Sequence, residues 1–261
     1  MNLMRPVLTA ILLASAFTAL HAEQLPVLRG TCSLAHAPDS KDLDLRLVRG
    51  GCATEDQCGT EQMQQPANAF TGITPSDLER DGAPLTATMK REAGTLVCAG
   101  VAHGSRLEGS YTFTPDATFV SRMETMGFKD LDSEKLEAYT LFGIDTEWIQ
   151  SLRTAGVGGL DSGKLIALRI FKVDAPYVRS MEALGYPAPE ADKLIALRVQ
   201  KVDPAEVKQI RALGYSPTLD QLVEMRIFQV TPDYIRRMQS KGVSDLTISK
   251  LVQMRIFKIA D

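Results

Sequence analysis

Four arginines, Arg169, Arg198, Arg226 and Arg255, stand at one place in a phrase written four times: "LIALRIF", "LIALRVQ", "LVEMRIF" and "LVQMRIF". A guanidinium is a planar fork of donors that matches a carboxylate or a phosphate. A ladder of four such groups can therefore line a surface that receives an acidic or phosphate-bearing partner. A second reading is internal. On a helical wheel for residues 165–173, the residues Leu165, Ile166, Leu168, Ile170, Phe171 and Val173 leave almost no polar face, so this helix is expected to be the more buried of its pair. Arg169 falls inside that apolar sector, where an unpaired charge is strongly unfavourable. Each arginine can instead donate to the last carbonyls of a helix or to a neighbouring carboxylate, with Asp174 and Asp203 as candidates. In the first copy the matching residue is Thr140.

Trp148, Tyr177 and Tyr234 share one position of a second helical pattern, with Phe119 in the first copy and Glu206 interrupting the series. Such a stripe is either core or, if exposed, a surface for a protein partner.

Other chemistry is sparse. His36 and His103 lie outside any catalytic motif, and no nucleophile elbow, phosphate loop, zinc-protease helix or EF-hand occurs. Carboxylate pairs such as Asp130 with Asp132 and Glu190 with Asp192 precede helical patterns, where they favour the helix dipole. The sequence predicts a protein that is not an enzyme and carries no cofactor or metal. The cysteines Cys32, Cys52, Cys58 and Cys98 all lie in the first half of the chain. An even count in an exported chain predicts two disulfides. Of three connectivities, Cys52 with Cys58 and Cys32 with Cys98 is favoured, because "CATEDQC" closes a short polar loop and the other two sit in strand-like runs. The alternative, a metal site, lacks the usual two-residue ligand spacing.

The elements that must carry these residues follow from the periodicity. Residues 1–22 read as a secretory signal peptide, with Arg5, an apolar run from Val7 to Ala19 and a cut after Ala22. Beyond it no apolar window is long enough for a membrane span. The expected location is the periplasm or the outside of the cell. Without residues 1–22 the chain holds 28 basic and 32 acidic residues, an acidity that argues against nucleic acid.

Residues 23–115 alternate with period two, in "LDLRLV" and in runs from Leu85 to Arg91, Thr95 to Val101 and Leu107 to Phe113, separated by "EAG" and "AHGS", each with a Gly suited to a hairpin turn. They predict a disulfide-bonded antiparallel β-domain. In "GITPSDL", Thr74 and Pro75 predict a single helical turn.

Residues 116–261 change to a helical period and repeat. Gly127, Gly156, Gly185, Gly214 and Gly242 are 29, 29, 29 and 28 residues apart. Each unit predicts two short helices, the first opening at caps such as Asp203 before Pro204 or Thr231 before Pro232 and closing at the repeated glycine. Helix pairs of this kind bury their apolar sides only by stacking. The expected fold is α+β: the β-domain followed by an α-solenoid of about five helical hairpins.

Segments such as "LIALRI" and "VTPDYI", together with the "REAGT" turn and the "FTP" that closes the β-segment, resemble the short two-helix repeats of bacterial exported proteins. Similar repeats are appended to the extracytoplasmic side of membrane metallopeptidases of the beta-lactam-sensor type. The resemblance covers residues 72–261 and implies location and architecture. It implies no peptidase activity, since this chain has neither membrane helices nor a His-Glu-x-x-His motif. The functional expectation is a non-enzymatic module that binds an envelope or secreted protein, as an inhibitor or immunity protein in one version. The alternatives are a periplasmic ligand-sensing or regulatory module acting on a membrane partner, and a hydrolase using the β-domain histidines.

Overall fold

A computed structural model describes residues 25–37, 40–51, 59–243 and 245–259. The predicted signal segment and the predicted Cys52–Cys58 pair lie outside the described residues. Six strands come first: β1 Leu28–His36, β2 Leu43–Arg49, β3 Thr60–Gln65, β4 Pro84–Arg91, β5 Gly94–His103 and β6 Arg106–Pro115. They form one antiparallel sheet in the order β3-β2-β1-β6-β5-β4. Alternation decides which face is buried, as with Leu43, Leu45 and Leu47 on β2 and Leu107, Tyr111 and Phe113 on β6. Strand β3, "TEQMQQ", has no such alternation and is not legible in the sequence. It is held by pairing to β2, with Leu45 opposite Met63 and Leu47 opposite Glu61.

The expected disulfide between Cys32 and Cys98 is present, with its Cα atoms 6.1 Å apart. It joins β1 to β5 across the strand between them, β6. Strands two places apart in a flat sheet are about 9–10 Å apart, so the sheet is sharply coiled here. Glycines permit the coil. Gly100 faces Gly109, and a Cβ on Gly109 would stand 2.1 Å from the Ala99 carbonyl oxygen. The glycine of "EAG", by contrast, is not a turn residue. Gly94 opens β5, where a Cβ would lie 2.5 Å from the Phe113 ring.

The single turn predicted in "GITPSDL" is a 3-10 helix, Pro75–Glu79, and the Asp77 carboxylate accepts from the Thr74 amide at 2.7 Å. Among the described residues, ten helices follow the sheet. The first of each pair are α1 Ala117–Thr125, α3 Thr146–Thr154, α5 Ala175–Ala183, α7 Pro204–Ala212 and α9 Pro232–Ser240. The second are α2 Ser133–Phe142, α4 Ser162–Ile170, α6 Ala191–Val199, α8 Leu219–Ile227 and α10 Ile248–Ile256. Side-chain oxygens cap every helix start except that of α6, from Asp116 through Thr247. The repeated glycines end the odd-numbered helices with φ between 69° and 91°, values that favour glycine.

Even-numbered helices pack on one another in series from α2 to α10, and odd-numbered ones from α3 to α9. Helix α2 also packs on β4, β5 and β6, so the sheet and both helix rows share one continuous apolar cluster. The even-numbered helices are well buried, α2 most of all, but the residue that follows each arginine is not: Ile170, Val199, Ile227 and Ile256 are 46, 43, 52 and 47% exposed. Helices α4, α6 and α8 each pack between two row neighbours, and these residues lie on the side left to solvent.

Candidate functional site

The four registered arginines sit in the last turns of α4, α6, α8 and α10, half-buried between the two helix rows. Each Nε donates to a backbone carbonyl at the end of the preceding even-numbered helix. Arg169 bonds Phe142 at 3.0 Å, Arg198 bonds Phe171 at 2.9 Å, and Arg226 and Arg255 bond Gln200 and Gln229 at 3.2 Å. These carbonyls have no partner within their own helix, so each arginine caps the helix of the unit before it.

The guanidinium plane then covers a side chain of the adjoining odd-numbered helix. Arg169 lies 5.1 Å from the centre of the Trp148 ring, Arg198 is 4.7 Å from that of Tyr177, and Arg255 is 4.4 Å from that of Tyr234. This is cation–π geometry. At the third position the aromatic is replaced by Glu206, and Arg226 Nη1 pairs with its carboxylate at 3.1 Å.

Comparison with protein-family models, curated proteins and solved structures gave no match.

This geometry corrects one sequence expectation and decides between the two readings of the aromatic stripe. Asp174 and Asp203 do not pair with the arginines; their carboxylates accept from the amides of Tyr177 and Ala205 and cap α5 and α7. Trp148, Tyr177 and Tyr234 are not an exposed platform, since all three are buried and covered by guanidiniums. In the first copy Phe119 meets Tyr139 edge-on at 6.2 Å and lies under Arg122, while Thr140 is fully buried.

Immediately beyond each arginine stands an exposed aliphatic residue: Ile170, Val199, Ile227 and Ile256. Lys172, Lys201 and Lys258 follow two or three residues later in left-handed conformations, with φ of 55°, 54° and 51°. The outcome is an apolar row edged with positive charge on a chain whose formal net charge is −3. At the corresponding place of the first copy, Leu141 is buried, and Gln65 of β3 donates to its carbonyl at 2.8 Å. The sheet covers the first rung of the row and leaves the rest open.

A partly buried arginine and a buried carboxylate tie the sheet to the same helix. Arg49 of β2 reaches Glu137 of α2 at 3.1 Å and Glu134 at 3.0 Å. Burial raises the Glu137 pKa above the usual glutamate range, opposed by Arg49 and by the Tyr111 hydroxyl, while nearby Glu61 raises it further. Glu137 was not anticipated from the sequence. Its signal was an acid set between Leu136, Tyr139 and Leu141 in one helix.

The "REAGT" turn is the second tie. Glu92 accepts from the Thr146 amide at 3.0 Å and pairs with Arg122 at 3.6 Å, and the buried Ala93 accepts from the Asp116 amide at 3.1 Å. The histidines are distant from all of this. His36 and His103 are exposed, 3.4 Å from Glu79 and 3.3 Å from Asp81 respectively. Among the described residues, no group of three or more His, Cys, Asp or Glu side chains can hold a metal.

Proposed function

We propose that the ten helices form an α-solenoid of five hairpin repeats, exported from the cytoplasm, whose even-helix face docks a protein partner without catalysing a reaction. The observation that carries this reading is the registered row Ile170, Val199, Ile227 and Ile256, exposed beside Lys172, Lys201 and the arginines. Apolar side chains left about half exposed at one position of every unit are not accounted for by packing between the units alone, and a contiguous row of them marks an interface. The positive rim selects a segment carrying carboxylates as well as apolar side chains.

Support for an extended partner segment comes from the first rung. There β3 lies beside Leu141 and presents an amide side chain to the end of α2. A partner strand lying along the later rungs would continue this arrangement. The Cys32–Cys98 bond supports an oxidising compartment.

The test is site-specific photo-cross-linking in the native envelope. A photoreactive residue at Ile227 is expected to capture one defined protein carrying an acidic, apolar segment, while the same residue at Lys208, on the exposed side of α7, captures none. Equal capture from both positions, or capture from neither, overturns the reading. Ile170→Ser with Ile227→Ser should abolish capture and leave thermal unfolding within about 1 kcal/mol of wild type, because both residues are surface-exposed.

A further inference from the structure

The REAGT turn places one more guanidinium against the ladder. Arg91, the last residue of β4, and Arg169 of α4 converge on the loop that follows α2. A Cβ built on Gly143 would stand 3.5 Å from Arg169 Nη2 and 3.7 Å from Arg91 Nη1. The two nitrogens are therefore no more than about 7 Å apart, close enough for like charges to repel.

Three neighbouring acids each accept from a backbone amide at a helix start. Glu92 is held by Thr146 and Arg122, the Asp145 carboxylate accepts from the Trp148 amide at 2.7 Å, and that of Asp174 accepts from the Tyr177 amide at 2.8 Å. Among the described residues neither Arg91 nor Arg169 forms an ion pair, and the only hydrogen bond of Arg169 uses Nε, which leaves both Nη atoms available. Gly143 itself has φ 65° and no side chain, so the space between the two forks stays open.

Arg169 also lines an open pocket of about 480 Å³ with Phe142, Trp148, Ile170, Lys172 and Asp174. Lys172 adds a third cation at its rim. An anion bridging two guanidiniums, with each nitrogen about 2.8 Å from one of its oxygens, fits two forks separated by this distance.

We infer that Arg91 and Arg169, with Lys172 at the edge, form a binding site for an oxyanion, a carboxylate or a phosphate group, at the junction between the sheet and the first repeats. The site takes one guanidinium from β4 and one from α4, so it exists only when the two parts are assembled. It does not depend on whether the later rungs dock a protein. Its anion is either a free phosphorylated or carboxylated small molecule, or a carboxylate of a larger partner.

Trp148 is the only tryptophan in the chain, and Arg169 lies over its ring, so intrinsic fluorescence reports on this site alone. The full-length mature protein is titrated with inorganic phosphate and, separately, with N-acetylglutamate, each against sodium chloride at the same ionic strength. A saturable change in Trp148 emission with at least one of the two, and none with chloride, is the expected result. Saturation by phosphate alone identifies a phosphoryl ligand; saturation by N-acetylglutamate alone identifies a carboxylate. Arg91→Gln, at an exposed position, should weaken that binding at least tenfold without altering the thermal unfolding of the free protein, and Lys172→Gln should weaken it less. A response to neither probe, a response equal to that of chloride, or unchanged binding by Arg91→Gln overturns the inference.

Discussion

Arg226 Nη1 stands 3.1 Å from Glu206 Oε2, in the place where Arg169, Arg198 and Arg255 lie over Trp148, Tyr177 and Tyr234. The four arginines keep the same contact with the preceding helix end, while the contact across the helix rows is aromatic three times and ionic once. Both partners serve one need. A half-buried guanidinium must lie against something that offsets its partial desolvation, and either a ring face or a carboxylate will do.

This equivalence predicts an exchange. Glu206→Tyr restores the aromatic of the other units and should leave stability within about 1 kcal/mol of wild type. Glu206→Lys sets two cations together and should lower Tm by about 2–4 °C, the shift expected for about 1 kcal/mol in a chain of this size. Thermal unfolding by circular dichroism distinguishes them. If Glu206→Tyr is as damaging as Glu206→Lys, the carboxylate is doing something that the ring does not replace.

The Cys32–Cys98 bond spans 66 residues of sequence and clamps two strands across β6. Replacing both cysteines by alanine should lower stability by about 2–4 kcal/mol and leave the helical signal largely intact. Denaturant unfolding measures the difference. Using this double variant, rather than a reductant, keeps Cys52 and Cys58 out of the comparison. An unchanged midpoint would mean that pairing along β6 alone holds the coil.

Alkaline pH supplies a test of packing. Burial raises the Tyr111 and Tyr177 phenols to about 12, with further contributions from Glu137 at Tyr111 and from Asp203 at Tyr177, and it pushes Tyr139 higher still. In the unfolded chain these groups ionise at the ordinary tyrosine value of about 10. Between those values the native state holds more protons than the unfolded state, so stability falls as pH rises above about 10. Phenolate absorbance from Tyr111, Tyr139 and Tyr177 should appear together with loss of the helical signal. Reversible titration of all six tyrosines near their ordinary value, with the fold retained, would show that the rings are more accessible than their packing requires.

How much of this was legible depends on how local the physics is. The caps at Asp203 and Thr231, the left-handed glycines and the strands of the meander depend on residues within a few positions of one another, and each lies where period and punctuation indicate. The registered arginines were also visible as a pattern. Their partners were not, because Phe142, Phe171, Gln200 and Gln229 are engaged through carbonyl oxygens, which every residue type carries equally. Asp174 and Asp203 looked like suitable counter-charges, but the helix N-termini that they cap claimed them first. Strand β3 escaped for a related reason: "TEQMQQ" has no internal signal and becomes a strand only because β2 offers it an edge.

By itself, then, the sequence determined the change from a strand period to a helical repeat, the caps and glycines that bound the helices, and the strands with an alternating face. These follow from backbone sterics, capping and period, which act over a few residues. Only the tertiary structure decided that Trp148, Tyr177 and Tyr234 are covered while Ile170, Val199, Ile227 and Ile256 face water. It likewise brought Arg91 to Arg169 and Arg49 to Glu137. A helix whose apolar residues surround it presents no preferred face, and which side is covered depends on the neighbours that stack against it, 20 or more residues away along the chain.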